Sequence, residues 1–169
     1  IINRLISVTC LPPKPVKKSL IPSLFGEIRQ PQSEYLLIPR HSSERRAFIP
    51  IGFMPPSIIA GDANLVIPEA SLFHFGVLSS SMHMAWVRTT CGRIKSDYRY
   101  TNEIVYNNYP WPVDATENHS KTITATAKAL LEARGKFPES TLAELYDPLS
   151  MPQELVKAHQ ALDRAVDKA

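Results

Sequence analysis

The proline distribution constrains the fold of this chain more than any other feature. Twelve of the fifteen prolines lie in residues 1–112, where they separate short apolar runs at 35–38, 48–51 and 64–67. Proline cannot donate a backbone hydrogen bond to a sheet, so it is confined to sheet edges and strand ends. The front of the chain is therefore predicted to form an irregular sheet of short strands joined by turns.

One stretch of the front segment has helical spacing instead. Between residues 72 and 90 apolar side chains recur at Leu78, Met82, Ala85 and Trp86. Gly92 follows as a C-terminal stop, so one helix packed on the sheet is predicted. A further extended stretch, residues 98–109, runs into Pro110-Trp111-Pro112. Because two prolines close off a continuing strand, we predict a domain boundary at residue 112.

Residues 113–169 have the pattern of two or three helices. The first helix has apolar positions at Ile123, Ala127, Leu130 and Leu131 and would end at Gly135. A short helix is predicted near residues 140–146 with Ser140 as its N-cap. Ser150 and Gln153 have capping-box spacing before a last apolar face formed by Leu155, Ala158, Leu162 and Val166. The fold class predicted is α+β: an irregular mixed β-sheet domain with a packed helix over 1–112, then a helical segment over 113–169.

Charge and cysteine content narrow the class of protein. The net charge is +3, but residues 1–112 carry twelve Lys/Arg against seven Asp/Glu, whereas residues 113–169 carry seven against nine. The basic part is the front. Cys10 and Cys91 are too few and too distant for a disulfide framework, which favours a reducing cytoplasm. The sequence contains no uninterrupted apolar run of about 18 residues and no signal-peptide layout, so neither a membrane span nor secretion is predicted.

The chain contains no motif for methyl transfer or for phosphate binding. Leu11-Pro12-Pro13-Lys14 has two prolines but lacks the amide or carboxylate and the aromatic that would hold a flipped base, and it is interpreted as a turn. The six glycines are scattered singly, so no glycine-rich cofactor loop can form. Ser79-Ser80-Ser81 lacks a nucleophile-elbow frame and is interpreted as a small-residue helix surface. Because these motifs are missing, we expect the chain to have no catalytic activity of its own. It opens on Ile1-Ile2-Asn3 without a methionine, so we also expect it to be part of a longer polypeptide.

No metal site is predicted either. The candidate ligands Cys10, His41, His74, His83 and Cys91 do not pair at the spacing of structural zinc ligands. His74 and His83 are interpreted as partly buried polar residues with local hydrogen-bond partners.

The segment Arg40-His41-Ser42-Ser43-Glu44-Arg45-Arg46 joins two strand-like runs and holds three arginines, a histidine and a glutamate. Arginine can contact the guanine edge bidentately and glutamate can accept from the cytosine amino group, so this is the chemistry of a base reader. If the segment is extended, Glu44 and Arg46 project to one side and Arg45 to the other. A solvated turn held by a Glu–Arg ion pair fits the composition equally well.

A second cluster follows the predicted helix. Residues 93–102 supply cations, hydroxyls and an amide of the kind that contact phosphates: Arg93, Lys95, Tyr98, Arg99 and Asn102. The tyrosines would stack or hydrogen-bond. A third basic stretch, Lys14 to Lys18, is proline-rich and is interpreted as a solvated loop with phosphate contact as the alternative.

These same segments resemble one family. Residues 35–53 and the block from Gly76-Val77-Leu78-Ser79-Ser80 through Val105-Tyr106-Asn107-Asn108-Tyr109-Pro110-Trp111-Pro112 are similar to the recognition domain of the MmeI-like restriction-modification enzymes. The resemblance covers residues from about 5 to 112 by motif and the helical tail by position. It implies a DNA target recognition domain over 1–112 and a helical spacer over 113–169.

The resemblance also implies roles and partners. The parent would carry an upstream domain that transfers a methyl group from S-adenosylmethionine to adenine N6, in a prokaryotic cytoplasm. This chain itself would hold no cofactor. Its partners would be double-stranded DNA, the upstream methyltransferase domain and, if losing that domain exposes an apolar face, a second copy of the chain. By resemblance Glu44 and Arg46 read bases, with Arg45 and Ser43 in support, and Phe48 stands where some relatives have a polar reader.

Two other classes of function are weighed against DNA recognition. Trp86, Trp111 and the helical tail would form a docking surface in a protein-interaction module, whose arginines would only aid solubility. A small freestanding enzyme is disfavoured, because no nucleophile, base and orienting group can be named. Salt-dependent retention on DNA separates the first alternative from DNA recognition.

Overall fold

The computed structural model describes residues 30–169, which form six short strands and five α-helices. The strands are β1 (Tyr35–Pro39), β2 (His41–Ser42), β3 (Gly52–Met54), β4 (Asn64–Pro68), β5 (Gly92–Ile94) and β6 (Asp97–Arg99). The helices are α1 (Leu72–Leu78), α2 (Ser81–Thr90), α3 (Glu117–Gly135), α4 (Leu142–Leu145) and α5 (Gln153–Val166), and a π-helical turn spans Asn102–Tyr106. The predicted α+β class is confirmed.

The strands form two separate antiparallel sheets. The first has the order β3-β1-β4, and the second has the order β2-β6-β5. In the first sheet Leu36 pairs with Phe53 on one side and Ile67 on the other. Both β1 and β4 end on a proline, Pro39 and Pro68, as expected of a residue that cannot continue the ladder. The proline pattern thus predicted the short strands correctly. The strands form two antiparallel sheets, whereas one irregular mixed sheet was predicted.

The prediction of one helix over 72–90 was wrong, because the chain breaks into α1 and α2 at Ser79 and Ser80. The Ser80 hydroxyl donates to the Val77 carbonyl at 2.7 Å and accepts from the His83 N–H at 3.2 Å. A serine that bonds nearby backbone competes with the helix and serves as an N-cap. The serine run is therefore a helix boundary and not a helix surface.

The predicted extended stretch over 98–109 was also wrong beyond Arg99. Residues 102–106 form the π-helical turn, in which the Asn107 N–H donates to the Asn102 carbonyl at 2.8 Å. Trp86 fixes this turn from α2, since its indole N–H donates to the Val105 carbonyl at 2.9 Å. Tertiary contact with α2 therefore overrides the strand propensity of this segment.

The tail contains three helices, with starts that differ in detail from the predictions. α3 ends at Gly135 as predicted, after an N-cap at Thr116. α4 is capped by Thr141, whose hydroxyl and N–H both bond Glu144, and not by Ser140. The predicted capping box at Ser150 is absent because α5 begins after Pro152, and the Ser150 hydroxyl donates instead to the Glu144 carbonyl.

One hydrophobic core runs through both segments of the chain. α3 packs on α1 at Gly76, where an added Cβ would lie 2.9 Å from Ile123 Cγ2 and 3.1 Å from Ala127 Cβ. Leu162 of α5 reaches the same point. The tail is thus part of the packing that supports the sheets. Among residues 30–169, none of the helices is long and apolar enough to cross a membrane.

Candidate nucleic-acid interface

The second sheet brings together the two polar clusters that are far apart in sequence. β2 pairs with β6 so that His41 lies opposite Arg99 and Ser42 opposite Tyr98. The Tyr100 N–H donates to the Arg40 carbonyl at 2.7 Å and extends this connection. Arg40–Arg46 and Arg93–Asn102 are therefore neighbours on one surface.

The segment after β2 is a closed turn, which we call the arginine–glutamate turn (residues 43–46). The Arg46 N–H donates to the Ser43 carbonyl at 3.2 Å, and the Glu44 N–H donates to Asp97 Oδ1 at 3.2 Å. The extended conformation considered from the sequence, with Glu44 and Arg46 on one side, is not adopted. The turn leaves Glu44 and Arg45 exposed, and Ser43 and Arg46 half-buried.

Arg93 links this turn to the β5–β6 hairpin, which we call the basic hairpin (residues 92–99). Its guanidinium lies 4.1 Å from the centre of the Tyr98 ring, and Nη1 donates to the Ser96 carbonyl at 2.8 Å. The same Nη1 is 3.9 Å from Glu44 Oε2, with both side chains partly exposed. A surface pair at this distance contributes at most about 1 kcal/mol, so the Glu44 carboxylate stays available to an outside donor.

Three further cations are exposed on the same surface. Lys95 sits at the tip of the basic hairpin with a φ of 55°, and Arg99 follows on β6. Arg45 is exposed on the arginine–glutamate turn. Within residues 30–169 none of the three forms an ion pair. Arg40 and Asn102 are half-buried at the margin of this surface.

The prediction that Tyr98 contacts nucleic acid needs correction, because its side chain is only 3% exposed. The ring faces the core beneath the Arg93 guanidinium and supports that side chain. The alternation of exposed Asp97 and Arg99 with buried Tyr98 is the period-two pattern of a strand. The basic stretch Lys14 to Lys18, Cys10 and the turn Leu11-Pro12-Pro13-Lys14 lie outside the described residues.

The structure also reveals contacts between this region and the tail that the sequence did not predict. The Phe48 ring stacks on His159 of α5 with centroids 3.8 Å apart and planes at 17°. Arg46 Nη2 donates to the Ala143 carbonyl at 3.4 Å. A histidine among the apolar positions of α5, between Leu155 and Leu162, was the available signal.

A buried polar chain lies behind that stack. The Tyr146 hydroxyl is 2.7 Å from His159 Nε2 and accepts from Arg134 Nε at 2.9 Å. Arg134 Nη1 donates to the Ile51 carbonyl at 2.6 Å. Burial, together with the Arg134 charge, lowers the pKa of His159 to about 3, so this histidine is neutral near pH 7.

The other two buried histidines bond other residues of the fold: His74 has the local partner expected from the sequence, whereas His83 is fully buried with a partner 17 residues away. His83 Nε2 is 3.0 Å from the Tyr100 hydroxyl, and burial lowers the pKa of His83 to about 4. His74 bonds Ser71 within the α1 capping box. No group of three His, Cys, Asp or Glu able to hold a metal ion occurs in the described part of the chain.

Known proteins match nearly the whole chain. A family model described as the MmeI target recognition domain matches residues 12–113, and one described as the MmeI C-terminal domain matches residues 115–169. DNA methyltransferase A of Bacillus subtilis (strain 168) is 37% identical over 155 residues, which make up 90% of this chain and 17% of that protein.

A solved structure of the Type IIL restriction-modification enzyme MmeI in complex with DNA has a TM-score of 0.85 and 49% identity to this chain. The match covers 89% of this chain and 20% of that one. The chain thus spans about a fifth of the length of the relatives it matches. Since the two family models cover residues 12–113 and 115–169, the chain belongs to the MmeI family.

Proposed function

We propose that this chain is the double-stranded DNA recognition part of a restriction-modification DNA methyltransferase. One observation carries the proposal: the second sheet joins the arginine–glutamate turn and the basic hairpin into a single exposed surface. Glu44 and Arg93 are 3.9 Å apart across the join. The names of the similar proteins, a DNA methyltransferase and a restriction-modification enzyme bound to DNA, point the same way.

The side chains of this surface fall into two groups by chemistry. Glu44 and Arg46, supported by Arg45 and Ser43, carry the acceptor and donors needed to distinguish base edges in a major groove. Cations and an amide around them suit phosphate oxygens, which fix register without reading sequence. That second group is Arg40, Arg93, Lys95, Arg99 and Asn102.

Methyl transfer belongs to the rest of the parent protein. S-adenosylmethionine would be bound by a domain upstream of this chain, which would transfer the methyl group to adenine N6 after the base leaves the stack. The contribution of this chain is to select the site and hold the duplex in register. Within the chain, residues 1–112 recognise the DNA. Residues 113–169 brace that domain against the upstream one. The parent would act in a prokaryotic cytoplasm.

Three large apolar side chains are exposed and available for contact with another domain. Ile59, Val113 and Leu149 are 79%, 61% and 98% exposed. Sedimentation of the isolated chain at increasing concentration tests whether it associates through such side chains.

Glu44→Ala and Arg46→Ala in the full-length protein test the base-reading roles. Each variant is incubated with a pool of duplexes of randomised sequence, and the retained duplexes are sequenced. We expect each change to lower discrimination at one base pair by about tenfold or more while leaving total DNA retention nearly unchanged. Glu139→Ala and Arg164→Ala, at exposed positions of the tail, are the matched controls.

Unchanged discrimination in both Glu44→Ala and Arg46→Ala would refute the base-reading assignment. Retention of the pool that does not fall with added salt would favour a protein-interaction module instead, since phosphate contacts release counterions.

A further inference from the structure

The chain between the arginine–glutamate turn and β3 rests on the helical tail at three points. Arg46 Nη2 reaches the Ala143 carbonyl, Phe48 stacks on His159, and the Ile51 carbonyl accepts from Arg134. The side chains of Ile49 and Ile51, on the same stretch, are 3% and 0% exposed. The backbone that leaves the proposed readers is thus held in place by residues that lie 83 or more positions away in sequence.

His159 is the central contact of the three. Its ring is 1% exposed and lies parallel to Phe48 at 3.8 Å, which is the closest aromatic pair among the described residues. The Tyr146 hydroxyl sets the ring orientation through Nε2, and Tyr146 is in turn held by Arg134. Tyr146 and Arg134 are 2% and 7% exposed, so water has little access to this arrangement.

We propose that His159 is a positioning residue for base discrimination, which acts by stacking on Phe48 and so holding the arginine–glutamate turn in its reading conformation. This inference rests on the proposed function. A binding constellation must be held to within about 0.5 Å by residues that are themselves locked in place. The buried chain from Arg134 through Tyr146 to His159 supplies that support from the tail.

The test compares variants of the full-length protein on the randomised duplex pool. His159→Ala removes the ring, His159→Leu fills the space without a ring in case the alanine variant does not fold, and His159→Phe restores the stack. We expect about tenfold lower discrimination for the first two and less than threefold loss for the phenylalanine variant. Total retention of DNA by all three should stay within about twofold of the unsubstituted protein.

Leu162→Ala is the control for general loss of stability. Leu162 is also fully buried on α5, and its side chain packs at Gly76 of α1. Leucine-to-alanine changes in a core cost about 2–5 kcal/mol, so this variant should be destabilised at least as much as His159→Phe. We expect it to keep full discrimination at temperatures well below its unfolding midpoint.

The outcomes separate the inference from the function on which it rests. If Glu44→Ala loses discrimination but His159→Ala and His159→Leu keep it, the positioning role is refuted and the proposed function stands. If Leu162→Ala loses as much discrimination as His159→Leu, or if His159→Phe does not restore it, His159 is merely structural and the inference is overturned. If Glu44→Ala and Arg46→Ala have no effect, the base-reading assignment fails and the inference fails with it.

Discussion

Glu44 and Asp97 are joined by a hydrogen bond of 3.2 Å from the Glu44 N–H to Asp97 Oδ1, across 53 residues of sequence. This bond ties the arginine–glutamate turn to the basic hairpin through the backbone. It leaves the Glu44 side chain exposed, with Arg93 as its partner at 3.9 Å. The placement of a proposed base reader therefore depends on a carboxylate that need not touch DNA itself.

Asp97→Ala should lower base discrimination clearly but the free energy of unfolding only slightly. The change removes the acceptor for the Glu44 N–H, but both residues are exposed, so the free energy of unfolding should fall by only about 0.5–1.5 kcal/mol. Base discrimination of the full-length protein should fall several-fold, as measured on the randomised duplex pool.

Asp97→Asn is the matched control for that change, because an amide oxygen can still accept from the Glu44 N–H. We expect it to retain discrimination. Equal losses for the asparagine and alanine variants would mean that the charge of Asp97, and not its hydrogen bond to Glu44, matters.

Lys95→Ala and Arg99→Ala should reduce the salt dependence of DNA binding without changing which base sequence is preferred. Both cations are exposed on the basic hairpin without an ion pair among residues 30–169. If each contacts one phosphate, its loss should reduce the slope of log affinity against log salt concentration by about 0.9. Titration of a fixed duplex at several salt concentrations measures the slope. Lys128→Ala on α3 is the control, and a slope reduced equally by that variant would contradict the assignment.

The parts of the fold that rest on local chemistry could be predicted from the sequence. Prolines at 39 and 68 end strands because of their missing N–H, and the apolar positions from Ile123 to Leu130 form the buried face of α3. The helix break at Ser80 was missed because a serine is compatible with both a helix surface and a cap. Ser80 acts as a cap here because its hydroxyl bonds the His83 N–H and the Val77 carbonyl.

The candidate site was predictable in composition but not in arrangement. Arg40, Glu44 and Arg93 have the residue types of a DNA interface, yet their meeting depends on the pairing of Ser42 with Tyr98, which is non-local. The burial of Tyr98 follows from that pairing. The support of Phe48 by His159 depends on α5 folding back, and only the odd histidine on an apolar face marked it in advance.

Gly76→Ala should destabilise the fold. A methyl group at this position would lie 2.9 Å from Ile123 Cγ2 and 3.1 Å from Ala127 Cβ, so α1 and α3 would have to move apart. Overpacking of this kind costs about 1–3 kcal/mol, which exceeds the gain of about 1 kcal/mol from replacing a helical glycine. Gly135→Ala has open space around its Cβ and should be neutral or stabilising. Urea unfolding of both variants checks the difference, and equal midpoints would refute the close packing.

Acid should weaken the fold through its buried histidines. Burial lowers the pKa of His83 to about 4 and that of His159 to about 3, from an ordinary value of 6.5. Between these values the unfolded chain binds more protons than the folded one, so the free energy of unfolding falls as pH falls from 7 towards 4. At pH 5 the loss is about 2 kcal/mol for each histidine, and above pH 7 it disappears.

The His83→Gln variant tests this pH dependence, because an amide can still bond the Tyr100 hydroxyl at this buried position but does not titrate. Urea unfolding at pH 7, 6 and 5 should give a shallower decline than in the unsubstituted chain. If His83→Gln and the unsubstituted chain lose stability equally between pH 7 and 5, the neutral state of His83 does not contribute to acid sensitivity.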